Sequence, residues 1–236
     1  MNRLPFWVLM VSVVIVLCFA PSAPVRADGD DAADNGLTSR DIGPRVPASA
    51  AQTHPLAVGA RVPRGITLTT IDGRPFDLDA AVASTPTVLI FYRGGWCPFC
   101  TRQMAQLSAL EPRLKGLGYT LLAIGPDSPA SLQKSKSEHD LNYTLLSDSD
   151  MVAAKKFGLA WRVSDADFAY MKDHGVDIEA ASGRKHHLLP VPAAYVVDKQ
   201  GVIRFAFTNP DFKVRVDPDK LYSAATSAMV DTLGGH

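Results

Sequence analysis

Phe91-Tyr92-Arg93-Gly94-Gly95-Trp96-Cys97-Pro98-Phe99-Cys100 joins an apolar run to a pair of cysteines. Residues 87–92 are mostly β-branched or aromatic, which is typical of a strand buried on both faces of a sheet. The glycine pair ends this run. Apolar residues recur at helical spacing after the cysteines, and Pro98 suits the first helical position, where its missing N–H costs nothing. The pattern predicts a buried strand, a turn, and a helix with Cys97 at its N-cap.

Two cysteines at the start of a helix favour thiol redox chemistry. A thiol at the N-cap faces unpaired backbone N–H groups and the positive end of the helix dipole, which lower its pKa to roughly 3.5–7.5 from about 8.5. The second thiol lies one helical turn further on, within reach of a mixed disulfide or sulfenic acid on the first. Cys97 and Cys100 are therefore the predicted catalytic residues, cycling between dithiol and disulfide.

Two other roles for the cysteine pair are less favoured. A zinc site needs two further ligands, and although His186 and His187 could supply one, no second pair has zinc-knuckle spacing. A purely structural disulfide between residues three apart closes a very short loop and constrains the unfolded chain little. We therefore expect neither a metal nor a cofactor at this site.

The N-terminus has the pattern of an export signal. Arg3 supplies a positive start, residues 6–20 are almost continuously apolar, and Val25-Arg26-Ala27 resembles a small-residue cleavage site. Residues 1–27 are the predicted signal peptide, and the predicted location is exported, in the periplasm. The alternative is an uncleaved membrane anchor. Cleavage would also remove Cys18 and leave one cysteine pair in the mature chain.

Residues 28–54 are rich in Ala, Asp, Pro and Gly without an apolar period, which predicts a disordered linker. Residues 55–236 are of a size usual for one domain. Basic and acidic residues number 24 each in the full chain, and removal of Arg3 and Arg26 with the signal leaves a slight acidic excess. This balance argues against a nucleic-acid partner.

Strand and helix signals alternate along the domain. Residues 66–70 and 75–78 flank the turn dipeptide Asp72-Gly73, which predicts an N-terminal β-hairpin. The alternation that follows predicts an α/β fold. Residues 162–189 exceed the length of a tight connection, so we expect an inserted small helix and a loop that borders the site. His186 and His187, at the end of this insertion, could be pH-sensitive neighbours of the dithiol, or solvated loop residues.

Several segments, in this chain order, resemble a known superfamily. Trp96-Cys97-Pro98-Phe99-Cys100 on a strand-to-helix turn, followed by Val191-Pro192 before a hairpin, is similar to the thioredoxin fold. Residues 91–100, 145–148 and 195–204 resemble the alkyl hydroperoxide reductases and thiol-specific antioxidants, its peroxiredoxin-like branch. The resemblance spans residues 56–233. It implies a central mixed β-sheet flanked by helices, an N-terminal hairpin extension, and an insertion before a cis-proline strand.

The two branches of the superfamily assign the cysteines differently. By resemblance to thioredoxins, Cys97 is the exposed attacking thiol, Cys100 the buried resolving thiol, and Pro192 the cis-proline that faces them. By resemblance to peroxiredoxins, Cys100 takes the peroxidatic position and Cys97 replaces the motif threonine, while Arg93 replaces the motif proline. The arginine that peroxiredoxins place just ahead of the hairpin strand is also missing, since this chain has Pro192 there.

The remaining residues near the dithiol are expected to shape the site. Arg93 could supply positive charge to a thiolate, with a solvated strand-end charge as the alternative. Trp96 would form the rim beside Cys97, or a half-buried core aromatic. A cis Pro192 would leave the C=O and N–H of Val191 free to pair with an extended partner chain. Pro98 completes the set as the first residue of the helix.

The resemblance implies a thiol peroxidase. We expect Cys97 to attack a hydroperoxide, Cys100 to condense with the resulting sulfenic acid, and a thioredoxin-like or other dithiol donor to reduce the disulfide. The alternative from another branch is a protein-disulfide reductase that uses the same residues. A metal carrier built on Cys97, Cys100 and His187 is a third, non-enzymatic alternative. A membrane contact is expected only if the signal stays uncleaved.

Overall fold

The computed structural model describes residues 46–234. Seven strands form its main sheet, and two short strands form a second sheet. In chain order the strands are β1 (Thr67–Thr70), β2 (Pro75–Asp77), β3 (Thr87–Phe91), β4 (Thr120–Gly125), β5 (Thr144–Ser147), β6 (Ala160–Arg162), β7 (Leu188–Pro190), β8 (Ala193–Val197) and β9 (Ile203–Thr208). The main sheet has the order β2-β1-β5-β4-β3-β8-β9, and β6 pairs with β7.

Seven α-helices accompany these strands in the described part of the chain. They are α1 (Leu78–Ser84), α2 (Pro98–Gly116), α3 (Pro129–His139), α4 (Val152–Lys156), α5 (Asp165–Asp173), α6 (Ile178–Ser182) and α7 (Pro218–Gly234). Polar N-caps define several starts: the side chain of Asp77 accepts the N–H of Ala80 in α1, and Ser128 accepts the N–H of Ser131 in α3.

The carboxyl ends of the central strands lie next to the start of α2. β3, β4 and β5 run parallel, so their carboxyl ends meet at the same edge. β8 pairs antiparallel with β3, with Phe91 opposite Ala193, so its first residues lie at that edge too. The turn that carries the cysteines, the end of β4 and the start of β8 are thereby brought together.

Side chains of β3 alternate between two cores. Val88, Ile90 and Tyr92 pack on one face of the sheet, in the core that contains buried residues of α2 and α7. Leu89 and Phe91 pack on the other face, in the core formed with α1 and α4. Because both faces are covered, β3 is buried throughout, as its continuous apolar sequence indicates.

The predicted fold class is confirmed: the structure is a mixed α/β sheet flanked by helices, with an N-terminal hairpin made by β1 and β2. The insertion is more elaborate than the single small helix expected for residues 162–189. It contains both α5 and α6 and lies between the paired strands β6 and β7. The apolar residues of this segment are too few to reveal both short helices by periodicity.

The predicted linker differs from the structure over its last residues. Residues 46–54 include a 3₁₀ turn, Ala50–Gln52, and Val46 and Ala50 pack against the core on the α1 side. The N–H of Arg162 also donates to the carbonyl of Pro47 at 2.8 Å. Sparse apolar residues here obtain partners only from the tertiary fold, which composition does not show. The predicted signal peptide and residues 28–45 of the predicted linker lie outside the described residues.

Within residues 46–234, none of the helices combines the length and the apolar character that crossing a membrane requires.

Candidate active site

The turn between β3 and α2 is held by backbone geometry that only glycine supplies. Gly94 has a φ of +149°, and a Cβ there would overlap the indole of Trp96, which packs directly over it. The N–H of Gly95 donates to Oδ2 of Asp127 at 2.7 Å, and the N–H of Cys97 donates to the carbonyl of Gly94 at 3.2 Å. These contacts fix the half-buried Trp96 and orient Cys97 at the start of the helix.

Cys97 is the N-cap residue of α2, and Pro98 is its exposed first residue. Both cysteines are free thiols. The pKa of Cys97 is lowered to about 5, first because the Cys100 thiol donates a hydrogen bond to it, and then by the N–H groups of Cys100 and Phe99 and the charge of Arg93. Burial opposes this shift. The arrangement stabilises one negative charge on the pair and places it on Cys97.

The pKa of Cys100 is raised, rather than lowered, while Cys97 is ionised. Its hydrogen bond to Cys97, its burial and the charge of Cys97 all raise its pKa. The guanidinium of Arg215 and the backbone N–H of Arg93 act in the other direction. Once the charge on Cys97 is consumed by reaction, the groups that favour a Cys100 thiolate remain in place.

Neither thiol is accessible to a large reactant. Cys97 is 1% exposed and Cys100 is fully buried. The resemblance to thioredoxins predicts an exposed Cys97, and the structure contradicts this prediction. The reason is local packing, because Trp96, Phe99 and Phe212 pack against the core cluster that contains both thiols.

Arg93 is a buried cation rather than a solvated strand-end charge. Its guanidinium carbon lies 4.1 Å from the ring centroid of Phe212 and 5.2 Å from that of Trp96. Burial lowers the pKa of Arg93, while the charges of Cys97 and Cys100 raise it. Its Nε is buried and has no hydrogen-bond partner among the described residues. Arg93 therefore holds positive charge, and an unused donor, beside the dithiol.

A second arginine, Arg215, was not predicted from the sequence. Its Nη2 donates to Sγ of Cys100 at 3.3 Å, and its Nε and Nη1 are buried without a partner in residues 46–234. Arg215 lies in the segment between β9 and α7, residues 209–217, which we call the covering segment. Phe212 of the same segment stacks edge-on against Phe99 at 5.7 Å. No periodicity or motif marks Arg215, which lies in a loop between the exposed Val214 and the buried Val216.

Val191 does not present a free N–H, contrary to the prediction. Its N–H donates to the carbonyl of Leu159 at 2.9 Å, and its side chain is buried in the core on the α1 side of the sheet. Pro192 is buried directly before β8. The pairing of β6 with β7 causes this difference, because it continues by one residue, and Leu159 just before β6 uses the N–H that an extended partner chain would need.

The two histidines of the insertion bond to groups other than the thiols. His187 contacts Glu179 through Nε2 at 2.9 Å and Asp165 through Nδ1 at 3.3 Å, and its ring stacks on Phe168. The Nε2 of His186 contacts the carbonyl of Ser149 at 2.8 Å. Among the described residues, no group of three His, Cys, Asp or Glu side chains is arranged to hold a metal. The geometry gives the metal-carrier alternative no support.

The chain is similar to known proteins over its central part. Residues 58–206 match the model of the AhpC/TSA family. The chain is 33% identical over 108 residues to the soluble secreted antigen MPT53 of Mycobacterium tuberculosis, covering 46% of this chain and 61% of that protein. It is 38% identical over 72 residues to the putative peroxiredoxin bcp of Haemophilus influenzae, covering 30% and 46%. The chain thus spans about half to three fifths of the length of these relatives.

A solved structure shows the same fold. Peroxidoxin BcpB of Mycobacterium tuberculosis superposes with a TM-score of 0.55 at 20% identity, over 72% of this chain and 96% of that one. Arg215 lies beyond the residues that the family model matches. The family model covers more than half of the chain. The chain belongs to the AhpC/TSA family, the peroxiredoxin-like branch of the thioredoxin-fold superfamily.

Proposed function

We propose that this protein is an exported, thiol-dependent oxidoreductase that reduces hydroperoxides through a Cys97/Cys100 dithiol–disulfide cycle. One observation carries the proposal: a thiolate-stabilising cysteine pair lies against two arginines, the buried Arg93 and the half-buried Arg215. Family membership and the peroxiredoxin among the relatives support a thiol peroxidase or a thiol-disulfide oxidoreductase as the enzyme class.

In the first step, the Cys97 thiolate attacks the terminal oxygen of the hydroperoxide. An S–O bond forms as the O–O bond breaks, and the leaving alkoxide takes up a proton to become an alcohol, or water when the substrate is hydrogen peroxide. The guanidinium of Arg93 lies beside the thiols and has a spare Nε donor, so it can stabilise the negative charge that develops on the departing oxygen. Cys97 becomes a sulfenic acid.

In the second step, Cys100 attacks the sulfur of the Cys97 sulfenic acid. The S–S bond forms, the S–O bond breaks, and the departing hydroxide takes the thiol proton to leave as water. Arg215 contacts Sγ of Cys100, so it favours the thiolate as soon as the charge on Cys97 has gone. Two electrons have then passed from the dithiol to the peroxide, and an external thiol donor must reduce the disulfide.

Access favours a small oxidant over a protein disulfide. Cys97 is buried and the N–H of Val191 is occupied, so an extended chain has neither an exposed sulfur to approach nor a free backbone donor to pair with. Hydrogen peroxide and small organic hydroperoxides need neither. We therefore expect a small hydroperoxide to reach the thiols beside Arg93, whose guanidinium packs on the rings of Trp96 and Phe212.

The proposal is tested by mass spectrometry of the reduced protein after one equivalent of hydrogen peroxide. We expect a single product that has lost two hydrogens, with Cys97 linked to Cys100 in the peptide map. Cys100→Ser should stop at a sulfenic acid on Cys97 that a dimedone-type reagent traps. Failure of peroxide to oxidise the pair faster than a free thiol would reject the proposal.

A protein-disulfide reductase is the second candidate, favoured by one feature. Cys97 sits at a helix N-cap with its partner one turn later, and this geometry also suits attack on a disulfide. Under this candidate Cys100→Ser would accumulate a mixed disulfide between Cys97 and a partner protein. The absence of such an adduct, together with rapid sulfenic acid formation, would remove it.

Export and domain organisation belong to the same proposal. We propose residues 1–27 as a cleaved signal peptide, residues from 28 up to the described region as a linker, and a periplasmic location with a thioredoxin-like or other thiol donor. The sequence pattern of residues 1–27 supports export, as does the relative described as a secreted antigen. N-terminal sequencing of the mature protein should begin at Asp28. A mature chain that keeps Met1 and fractionates with membranes would contradict it.

A further inference from the structure

A cavity of about 210 Å³ lies beside the active-site turn and is bordered by Trp96. Its walls come from four parts of the fold: the turn itself, the chain just after β4, one side of α3, and Ala181 of α6. The lining residues that matter here are Gly95, Trp96, Asp127, Lys134 and Glu138. The cavity is several times larger than the roughly 30 Å³ that a water-sized oxidant occupies, so peroxide alone does not account for it.

Asp127 gives this cavity an unsatisfied acceptor. The residue is 2% exposed, and its Oδ2 accepts the N–H of Gly95 at 2.7 Å. Its Oδ1 is buried and has no hydrogen-bond partner among residues 46–234. A buried carboxylate oxygen without a partner is costly, and a donor from a ligand would remove that cost.

The charges of the cavity favour a cationic group. Lys134 and Glu138 form an ion pair at 3.8 Å at the rim and largely cancel, so Asp127 supplies the uncompensated charge. The dithiol has the opposite polarity, because Arg93 and Arg215 both lie against it. Trp96 belongs to both environments: it lines the cavity and lies 5.2 Å from the guanidinium carbon of Arg93.

We propose that this cavity binds the ammonium group of a low-molecular-weight aminothiol, and that this thiol is the reductant of the Cys97–Cys100 disulfide. The inference rests on the proposed function, since it names the electron donor of that cycle. The ammonium donates to Oδ1 of Asp127, and the thiolate end of the same molecule is drawn toward the arginines and Cys97. Ligand and site are then complementary in charge at both ends.

The reduction is balanced as two thiol–disulfide exchanges. The aminothiol thiolate attacks the sulfur of Cys97, a new S–S bond forms, and Cys100 leaves as a thiolate and takes up a proton. A second aminothiol thiolate then attacks the sulfur of the first aminothiol in the mixed disulfide. Cys97 is released as a thiolate, and the two aminothiols leave as their disulfide. The protein gains two electrons, which the two thiols lose.

The experiment measures reduction of the preformed disulfide by stopped-flow Trp fluorescence at about pH 8, with rates expressed per thiolate. Cysteamine is compared with 2-mercaptoethanol, which has the same length but a hydroxyl in place of the ammonium group. The ratio of the two rates is then measured in Asp127→Asn and in Asp140→Asn, which changes an exposed acidic residue just after α3 that does not line the cavity. The first substitution keeps a side-chain oxygen for the N–H of Gly95 and replaces the unpartnered carboxylate oxygen with an uncharged NH2 group, which cannot accept from an ammonium group. The neutral thiol serves as an internal reference.

We expect the cysteamine preference of the wild-type protein to fall by about tenfold in Asp127→Asn and by less than about twofold in Asp140→Asn, because a charged hydrogen bond contributes more than an exposed charge outside the cavity. Equal ratios in the wild type and Asp127→Asn would overturn the inference. An equal fall in Asp140→Asn would also overturn it, since charge outside the cavity would then carry the selectivity.

A second measurement uses the wild-type protein alone, in case Asp127→Asn does not fold. 2-(Methylthio)ethylamine has the ammonium group but no thiol. It should competitively inhibit reduction of the disulfide by cysteamine without slowing its reduction by 2-mercaptoethanol. If the compound inhibits reduction by both thiols alike, or by neither, the inference is overturned. Oxidation of the reduced protein by peroxide is a separate half-reaction, so its failure alone would reject the proposed function and leave this selectivity measurement readable.

Discussion

Nη2 of Arg215 lies 3.3 Å from Sγ of Cys100, although the two residues are 115 positions apart in the chain. Peroxiredoxins are expected to place an arginine just ahead of the hairpin strand, where this chain has Pro192. Here positive charge reaches the dithiol from the covering segment instead, and Arg93 supplies more of it from the active-site turn. The positive charge that the resemblance leads us to expect at one position thus comes from two others in this structure.

Arg215→Gln should slow disulfide formation and spare the first oxidation. Arg215 contacts Cys100, so its loss removes stabilisation of the Cys100 thiolate that attacks the sulfenic acid. We expect the second step to slow about tenfold or more, because a charged hydrogen bond is worth about 1.5–3 kcal/mol. Two-phase stopped-flow fluorescence separates the steps. Lys213→Gln, an exposed neighbour, is the matched control, and equal slowing in both variants would contradict the assignment.

Arg93→Gln should shift the pH dependence of the first oxidation. The Arg93 charge helps to lower the pKa of Cys97, so the wild-type thiolate persists down to about pH 5. Removal of this charge should move the midpoint of Cys97 titration to a higher pH. We expect a rise of about one unit or more, typical for removal of an adjacent opposite charge. The peroxide rate should then fall most between the old and new midpoints.

Thiolate absorbance measured against pH checks this shift directly. Arg93→Lys retains the charge and should recover part of it, although it lacks the planar guanidinium that stacks on Phe212. A midpoint unchanged in Arg93→Gln would show that the helix N-terminus and Cys100 alone hold the pKa of Cys97 down.

Phe212→Ala should open the dithiol to larger reagents. Phe212 packs on both the Arg93 guanidinium and the Phe99 ring, and covers the side of the site where the thiols are buried. We expect Cys97 alkylation by iodoacetamide to accelerate by about tenfold or more, since local opening would no longer be needed. Val214→Ala, at an exposed position of the same segment, should leave the alkylation rate near that of the wild type. A rate of Cys97 alkylation in Phe212→Ala equal to that of the wild type would contradict the covering role of Phe212.

Asp127→Asn should make stability less sensitive to pH. Burial raises the pKa of Asp127 from 3.8 to about 6, so the folded state favours the protonated form. The stabilisation is full below about pH 4 and is lost as the pH rises through about 6. The unfolding free energy of the variant relative to wild type should therefore rise by about 2–3 kcal/mol between about pH 4 and 7.

Denaturant unfolding at several pH values measures this difference. The pKa of Asp148 is also raised to about 6, but Asp148 is present in both proteins and cancels in the comparison. A pH-independent difference between variant and wild type would mean that Asp127 is ionised equally in the folded and unfolded states.

Local sequence patterns predicted the elements that carry the dithiol. The apolar run of β3, the glycine pair and Pro98 specify the strand, turn and helix within a few residues, so neighbouring positions contain the necessary information. The hairpin of β1 and β2 follows in the same way from Asp72-Gly73. These features depend on backbone preferences and on burial that alternates or persists along one segment.

Long-range contacts explain what the sequence could not reveal. Arg215 acquires its role because the covering segment returns across the start of α2, and Val191 loses its free N–H because the chain ahead of β6 runs beside it. The burial of Cys97 likewise depends in part on Phe212 of the covering segment, which packs against the same core cluster as the neighbouring Trp96 and Phe99. Each of these contacts joins segments tens of residues apart, and no local period marks either partner.

The most direct test of the central claim is stopped-flow oxidation of the reduced protein by hydrogen peroxide, followed by Trp fluorescence, in the wild type, Cys97→Ser and Cys100→Ser. The account predicts a second-order rate far above that of a free thiol, retained in Cys100→Ser and abolished in Cys97→Ser. If the fast oxidation is lost in Cys100→Ser and retained in Cys97→Ser, Cys100 is the attacking cysteine. A wild-type rate equal to that of a free thiol would contradict the peroxidase itself.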